Sequence, residues 1–209
     1  MEELLLPGVT TGWVVPATRD GRKTQFDLVS VRHGRELVSV DSRMANRLVA
    51  RVLAAPGHGG FGPGPWKAEV GWGSHRFDFA RIDPRSGEPS ALLEIKSSNL
   101  TVGRTAMFPD APTLRGASHL RALARARGAG IRATVLFVVQ HSLAHEFAPN
   151  RVLDPEFARA FDRAHRAGVV LRARTVHVGP GRVRWGREIP VRARPSPELI
   201  KWGGGIDGR

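Results

Sequence analysis

Along this chain apolar and polar residues alternate with two different periods, and the changes of period mark the elements. Trp13–Val15, Phe26–Val31 and Leu37–Val40 are β-rich runs, with turns expected at Arg19-Asp-Gly21 and His33-Gly34. Asp41 or Ser42 is placed to cap a helix running to about Ala54, with Met44, Leu48, Val52 and Leu53 as its apolar stripe. Pro56–Pro65 is too rich in Gly and Pro for regular structure and reads as a surface loop or flap. A short strand at Trp66–Val70 follows, then two strand-like runs, His75–Ile82 and Ala91–Ser97, separated by the turn signal Pro84-Arg-Ser-Gly87. Thr101–Pro112 reads as irregular. A helix is expected from about Thr113 to Arg127, ending at Gly128. Ile131–Val139 is nearly continuous in apolar residues, as suits a central strand covered on both faces. Asp154-Pro155 starts a helix that buries Phe157, Phe161 and Ala164 and stops at Gly168. Val169–Val178 reads as one or two edge strands, Gly179-Pro-Gly181 as a turn into Arg182–Trp185, and the chain beyond Arg194 as a loose tail.

From residue 42 the order is α-β-β-β-α-β-α-β. A hairpin followed by helix-linked strands predicts an α/β fold with a mixed central sheet and flanking helices. The expected organisation is a β-rich segment over 1–41, an α/β domain over 42–194 and a tail over 195–209.

If the 75–82 and 91–97 runs pair as a hairpin, Asp78 and Glu94 fall opposite each other, because their mean position lies inside the turn. Strand alternation puts Glu94 and Lys96 on one face and Ile95 on the other, and turns Asp78 away from Phe77 and Phe79. Two carboxylates and an ammonium then share one patch. Such an oxygen pair suits a hard divalent cation, and the lysine suits an attacking water or a phosphate charge. Glu-x-Lys alone is a weak signal; about 0.2 such triplets are expected by chance from 10 Glu and 4 Lys in 209 residues. The chain uses 28 Arg against 4 Lys, so a lysine behind Ala91-Leu92-Leu93 points to a need for a compact charge. The competing reading is a solvent-facing Glu and Lys on a half-buried strand.

The net charge of +13 attracts polyanions, nucleic acid first among them. With no cysteine, disulfides, thiolate zinc sites and cysteine nucleophiles are excluded, and a cytoplasmic location is expected. No run is long enough to span a membrane, and the start of the chain does not read as a secretory signal. His141 and His145 have zinc-helix spacing but no evident third ligand. Arg172, Arg174, Arg182, Arg184 and Arg187 line strands where they could grip a backbone or form a solvated basic face. The oligomeric state stays open, a homo-oligomer included.

Ser74-His-Arg-Phe-Asp-Phe79, Leu93-Glu-Ile-Lys96 and, most specifically, Gly103–Leu120 resemble the bacterial and archaeal sugar fermentation stimulation protein A family. The likeness extends through Phe137-Val-Val-Gln140, Phe147-Ala-Pro149 and Asp154-Pro155, and back through Arg22-Lys-Thr24 and Asn46–Val49, so it covers roughly residues 5–191. The resemblance implies DNA binding, nuclease activity on DNA or RNA, a C-terminal domain of PD-(D/E)xK nuclease type and an N-terminal OB-like barrel. It puts Asp78, Glu94 and Lys96 at catalytic positions, Mg²⁺ or Mn²⁺ on Asp78, Glu94 and the Ile95 carbonyl, and Asp110, Arg115 and His119 at further signature positions. Arg76, Arg115 and His119 would meet the phosphate. Arg115 and His119, four apart, share one helix face.

The chain departs from that pattern twice. Only about 40 residues precede the first helix, so the OB-like unit is shortened. Arg51 stands where the family's first helix carries a Glu, and Glu69 is the candidate substitute. The alternative reading is therefore a DNA-binding or regulatory protein with a decayed nuclease site.

Overall fold

The computed structural model describes residues 4–17, 23–179 and 181–200. The expected Arg19-Asp-Gly21 turn, Pro180 at the centre of the Gly179–Gly181 turn, and the tail beyond residue 200 lie outside them.

Three antiparallel strands, β1 (Gly12–Pro16), β2 (Phe26–His33) and β3 (Glu36–Ser39), form the β-rich opening in the order β1-β2-β3. Leu4, Val31 and Val38 form its small buried core. Helix α1 (Met44–Ala54) follows. Its buried stripe is Met44, Ala45, Val49 and Leu53, with Leu48 and Val52 only half-buried. The observed stripe is thus rotated from the expected one, because alanine suffices where α1 meets the sheet closely. Arg43 precedes the helix without a side-chain cap, while Asp41 accepts from the Arg43 N–H at 3.0 Å.

The main sheet contains β4 (Trp66–Trp72), β5 (His75–Ile82), β6 (Pro89–Ser98), β9 (Arg132–Val139), β11 (Val170–Gly179) and β12 (Arg182–Ile189), in the order β12-β11-β9-β6-β5-β4. Strands β6, β9 and β11 run parallel, and the outer pairs are antiparallel. One face packs on α1 through Phe79, Leu93, Ile95, Leu136 and Val138. The other packs on α2 (Leu114–Gly128) and α3 (Pro155–Arg166) through Leu92, Val135, Phe137, Leu120, Phe157 and Phe161. This is the expected mixed sheet with helices on both faces.

The cap expected at Asp154 forms, the one expected at Asp41 or Ser42 does not, and Thr113 adds a cap at the start of α2. Thr113 accepts from the Gly116 N–H at 3.0 Å, and Asp154 from the Phe157 N–H at 2.8 Å. Gly168, at φ 83°, ends α3 where a side chain would be strained. Val170–Gly179 is not an edge: β12 covers it, leaving β12 and β4 as the outer strands.

Thr101–Pro112 is more regular than its Gly and Pro suggested. Strands β7 (Leu100–Val102) and β8 (Thr105–Phe108) make a hairpin, and β10 (Glu146–Pro149) lies parallel to β8. His141 and His145 precede β10 in a turn, not on a helix. The His141 Nε2–H donates to the Asn99 carbonyl at 2.8 Å, and His145 pairs with Arg104 at 3.1 Å, so the two rings serve separate partners. The Gly-rich loop is pinned by Phe61 against Trp66, by Arg172 over Phe61 and by Arg81 to the Pro63 carbonyl.

The segment after β12 is anchored through residue 196. Phe147 exchanges backbone hydrogen bonds with Pro190 and Arg192, and buried Glu146 accepts from Thr105 Oγ1 at 2.9 Å and from Ser196 N and Oγ at 2.7 and 2.6 Å. Replacing Glu146 by Ala orphans three donors, so the variant is expected to lose about 2–4 kcal/mol in urea unfolding and to be cut faster by protease after Pro190. Wild-type stability in that variant would refute the anchoring role. Among the described residues no helix is long and apolar enough to cross a membrane.

Candidate functional site

The β5–β6 ladder pairs Phe79 with Leu93, Ala80 with Leu92 and Arg81 with Ala91, a register that carries on to put Asp78 opposite Glu94. The β4–β5 ladder pairs Ala68 with Phe79 and Val70 with Phe77, which puts Glu69 across from Asp78 on the other side. Three acidic residues therefore line up over three neighbouring strands.

The ladder is irregular at this line. Glu69 is left-handed, at φ 55°, which is uncommon for a residue with a side chain. Phe77 packs with the α2 cluster and Phe79 with the α1 cluster, so the two do not share the face that simple alternation assigned them. Asp78 sits where that alternation breaks. Its Oδ2 accepts from the Ile95 N–H at 2.7 Å and its Oδ1 from Asn46 Nδ2 of α1 at 2.7 Å. Asn46, half-buried beside Ala45 and Val49, is a residue the sequence reading did not assign to the site.

Glu94 points to the α2 side. Its Oε1 accepts from Lys96 Nζ at 2.5 Å and from His119 Nδ1 at 2.7 Å. Arg115 Nε donates to His119 Nε2 at 3.5 Å, which leaves the Nδ1 proton for Glu94. The Glu94 Oε2 is buried and has no hydrogen-bond partner among the described residues. His75, also unassigned from sequence, stands edge-on to His119 with ring centres 5.5 Å apart and bonds Ser118 Oγ through Nε2 at 2.9 Å. Phe77 supports the same imidazole at 5.6 Å.

The two carboxyls are tuned in opposite directions. Burial pushes the Asp78 carboxyl up and the nearby Glu94 charge adds to it, while the Ile95 and Asn46 bonds and Lys96 only partly offset them. Burial also pushes Glu94 up, but the His119 bond and the Lys96 charge outweigh it and hold this carboxyl below its ordinary value. Burial lowers the His75 imidazole, and the His119 and Arg125 charges lower it further. One acid is thus a settled anion and its neighbour an unfavourable one, a pairing that concentrates at functional sites.

The remaining candidates lie at the periphery. Arg76 is exposed and pairs with Glu69 at 3.0 Å, so Glu69 does not join the Glu94 cluster. Asp110 lies in the exposed loop before α2. Arg51 sits on the exposed side of α1. Of the five basic candidates on the outer strands, Arg172 makes a two-pronged pair with Glu188 at 2.9 Å, Arg174 bonds the Gly186 carbonyl and Arg187 the Ala144 carbonyl, while Arg182 and Arg184 are exposed. No group of three or more His, Asp or Glu side chains arranged for a metal occurs among the described residues. A cation at this site would rest on two carboxylates and backbone. The orphaned Glu94 oxygen and the strained charge of Asp78 fit such a hard ion.

A profile of the sugar fermentation stimulation protein RE domain matches residues 43–182. The sugar fermentation stimulation protein homolog of Moorella thermoacetica is 41% identical over 182 residues, covering 86% of this chain and 77% of that protein. The homolog of Pyrobaculum arsenaticum is 42% identical over 195 residues, 93% of this chain and 82% of that protein. The solved structure of Pyrococcus furiosus SfsA in complex with Ca²⁺ superposes with a TM-score of 0.77 at 26% identity, covering 92% of this chain and 81% of that one.

Proposed function

Because the chain belongs to the sugar fermentation stimulation protein family, we propose that its Asp78–Glu94–Lys96 centre hydrolyses phosphodiester bonds of nucleic acid with the help of a divalent cation, Mg²⁺ or Mn²⁺. In this reading residues 42–194 are a nuclease-like domain of PD-(D/E)xK type, residues 1–41 a shortened OB-like unit and residues 195–209 a tail. The protein would act in the cytoplasm.

The observation that carries the reading is the buried Glu94 carboxylate, held ionised by Lys96 and His119, with one oxygen left unpartnered beside an acid whose charge it disfavours. A divalent cation would satisfy both. The Ca²⁺ bound by the Pyrococcus furiosus protein is in keeping with that choice. Asp78, the Glu94 Oε2 and the Ile95 carbonyl would hold the ion. When bound, it supplies a Lewis acid for water and phosphate.

The other roles belong to the chain. Asn46 and the Ile95 N–H orient Asp78. Lys96 places a compact positive charge where negative charge grows on the phosphate, and it can orient the attacking water. His119, turned by Arg115 and packed by His75 and Phe77, fixes Glu94. Arg115 is left at the rim to meet the substrate backbone, with Arg76 beyond it.

The test is cleavage of single- and double-stranded DNA and RNA by the wild-type protein with Mg²⁺, Mn²⁺ or EDTA. Cutting that needs the metal supports the proposal. Tight binding without cutting in either metal would leave the DNA-binding protein with a decayed site as the correct description.

A further inference from the structure

Away from the Glu94 centre, the outer surface of α2 and α3 carries arginines at 121, 125, 159, 163 and 166. Helix α2 contains no acidic residue, and α3 contains two, Glu156 and Asp162. Both acids are engaged: Asp162 with Arg151 at 2.6 Å and Glu156 with Arg121 at 3.0 Å. Arg159 and Arg163 are exposed and form no ion pair among the described residues.

These two, one turn apart on α3, share a cleft of about 250 Å³ with Arg121, Glu156 and Ala160. That volume is below the range of sites that enclose a whole small-molecule ligand. It suits one anionic group of a larger molecule. The path to it is short. From Arg115, at the rim of the Glu94 centre, to Arg121 is six residues of helix, a rise of about 9 Å along the axis and about a third of a turn around it. A backbone leaving the centre along α2 would arrive at Arg121 within a few nucleotides and then face Arg159 and Arg163.

We propose that the α2–α3 cleft is a second phosphodiester subsite, which holds nucleic acid beyond the reacting phosphate through Arg121, Arg159 and Arg163. Glu156 competes with the polyanion for Arg121 and moderates its grip. The assignment of the Glu94 centre rests on the nuclease reading; the binding role of this cleft is tested without it.

The experiment is anisotropy of a labelled single-stranded DNA 20-mer in EDTA, titrated over KCl. Arg159→Gln/Arg163→Gln is compared with Arg35→Gln/Arg85→Gln, which removes the same two charges from the β2–β3 and β5–β6 turns. The cleft variant is expected to bind about tenfold more weakly at 0.1 M salt, with the log–log salt slope reduced by about 1.4, two single-strand phosphate contacts. The turn variant stays near wild type, and Glu156→Gln binds about twofold to threefold more tightly because a competing carboxylate is gone. Arg159→Lys/Arg163→Lys keeps the slope, separating lost charge from misfolding. If the cleft and turn variants weaken binding equally, or neither does, the subsite is wrong. Absence of cleavage in Mg²⁺ with this binding pattern intact would refute only the nuclease reading.

Discussion

Lys96→Ala protein is expected to bind nucleic acid in EDTA within about threefold of wild type, yet to cut it about 10²–10³-fold more slowly in Mg²⁺ or Mn²⁺. The asymmetry follows from where the ammonium sits. Lys96 is largely buried, and its Nζ lies 2.5 Å from the Glu94 Oε1, so it contributes little to the exposed basic surface that captures a polyanion. What it supplies is a fixed charge beside the two carboxylates. Glu94 keeps its His119 bond in the variant, so the carboxylate stays positioned while the catalytic charge is lost. Lys96→Arg is expected to restore little, because the guanidinium fork is too broad for a space shaped round a compact ammonium. Lys96→Met retains the apolar stem but leaves the buried Glu94 carboxylate with His119 alone, so it is expected to melt below wild type yet in one cooperative transition, which excludes collapse of the β6 face. Cleavage by Lys96→Ala at the wild-type rate would remove Lys96 from the mechanism.

The parts of this centre that could be read from sequence are those that depend on local spacing. The Pro84–Gly87 turn closes the β5–β6 hairpin, with Gly87 at φ 74°, and an irregularity between Arg81 and Ile82 then shifts the ladder by one residue into the register that brings residues 78 and 94 together. The i, i+4 relation of Arg115 and His119 likewise survives as a real contact. What escaped were contacts made across the fold. Asn46 reaches Asp78 from 32 residues away, and nothing in α1 marks it except a polar residue among buried neighbours. His75 became part of the centre only when β5 packed beneath α2. The break in alternation at Asp78 lies across from Glu69 of β4, which takes up a positive φ that no local signal predicts. Short strands were lost for a similar reason. β7, β8 and β10 stabilise one another, so their segments look irregular when each is read alone.

Glu94 and Asp78 are tuned apart because the chain treats them differently. Glu94 has the Lys96 ammonium as a counter-charge besides the His119 N–H, while Asp78 has only dipolar donors, the Ile95 N–H and the Asn46 amide. Dipoles orient a carboxylate without neutralising it. The result is a site whose unfavourable charge a proton or a bound cation would relieve, a local cost in stability of the kind that functional sites retain.

Asp78→Asn should expose that cost directly. In wild-type protein without metal, the Asp78 carboxyl titrates above its ordinary range, chiefly through burial and then through the Glu94 charge. A folded-state value above the unfolded one stabilises the fold fully at low pH, below the unfolded value, and this stabilisation is lost as pH rises through the folded value. Glu94 has the opposite sign: its lowered value stabilises the fold above the unfolded value, and that is lost as pH falls through the folded one. Asparagine at 78 carries no charge but keeps an acceptor for the Ile95 N–H, and Asn46 meets its new amide N–H by turning its own amide over to offer Oδ1. In EDTA at pH 7 to 8 the variant is therefore expected to melt at or above the wild-type temperature, with the wild type catching up as the buffer is made acidic toward the Asp78 transition. Metal reverses the order. At a concentration about 100 times its dissociation constant, Mn²⁺ is expected to stabilise the wild type by about 2.7 kcal/mol, a rise in Tm of roughly 5–10 °C, and to leave Asp78→Asn almost unmoved. A metal-induced rise of equal size in both proteins would place the cation elsewhere. A variant that melts well below wild type in EDTA at pH 8 would show that the Asp78 charge is compensated in the folded protein, and the case for a cation drawn to an unfavourable carboxylate would fail with it.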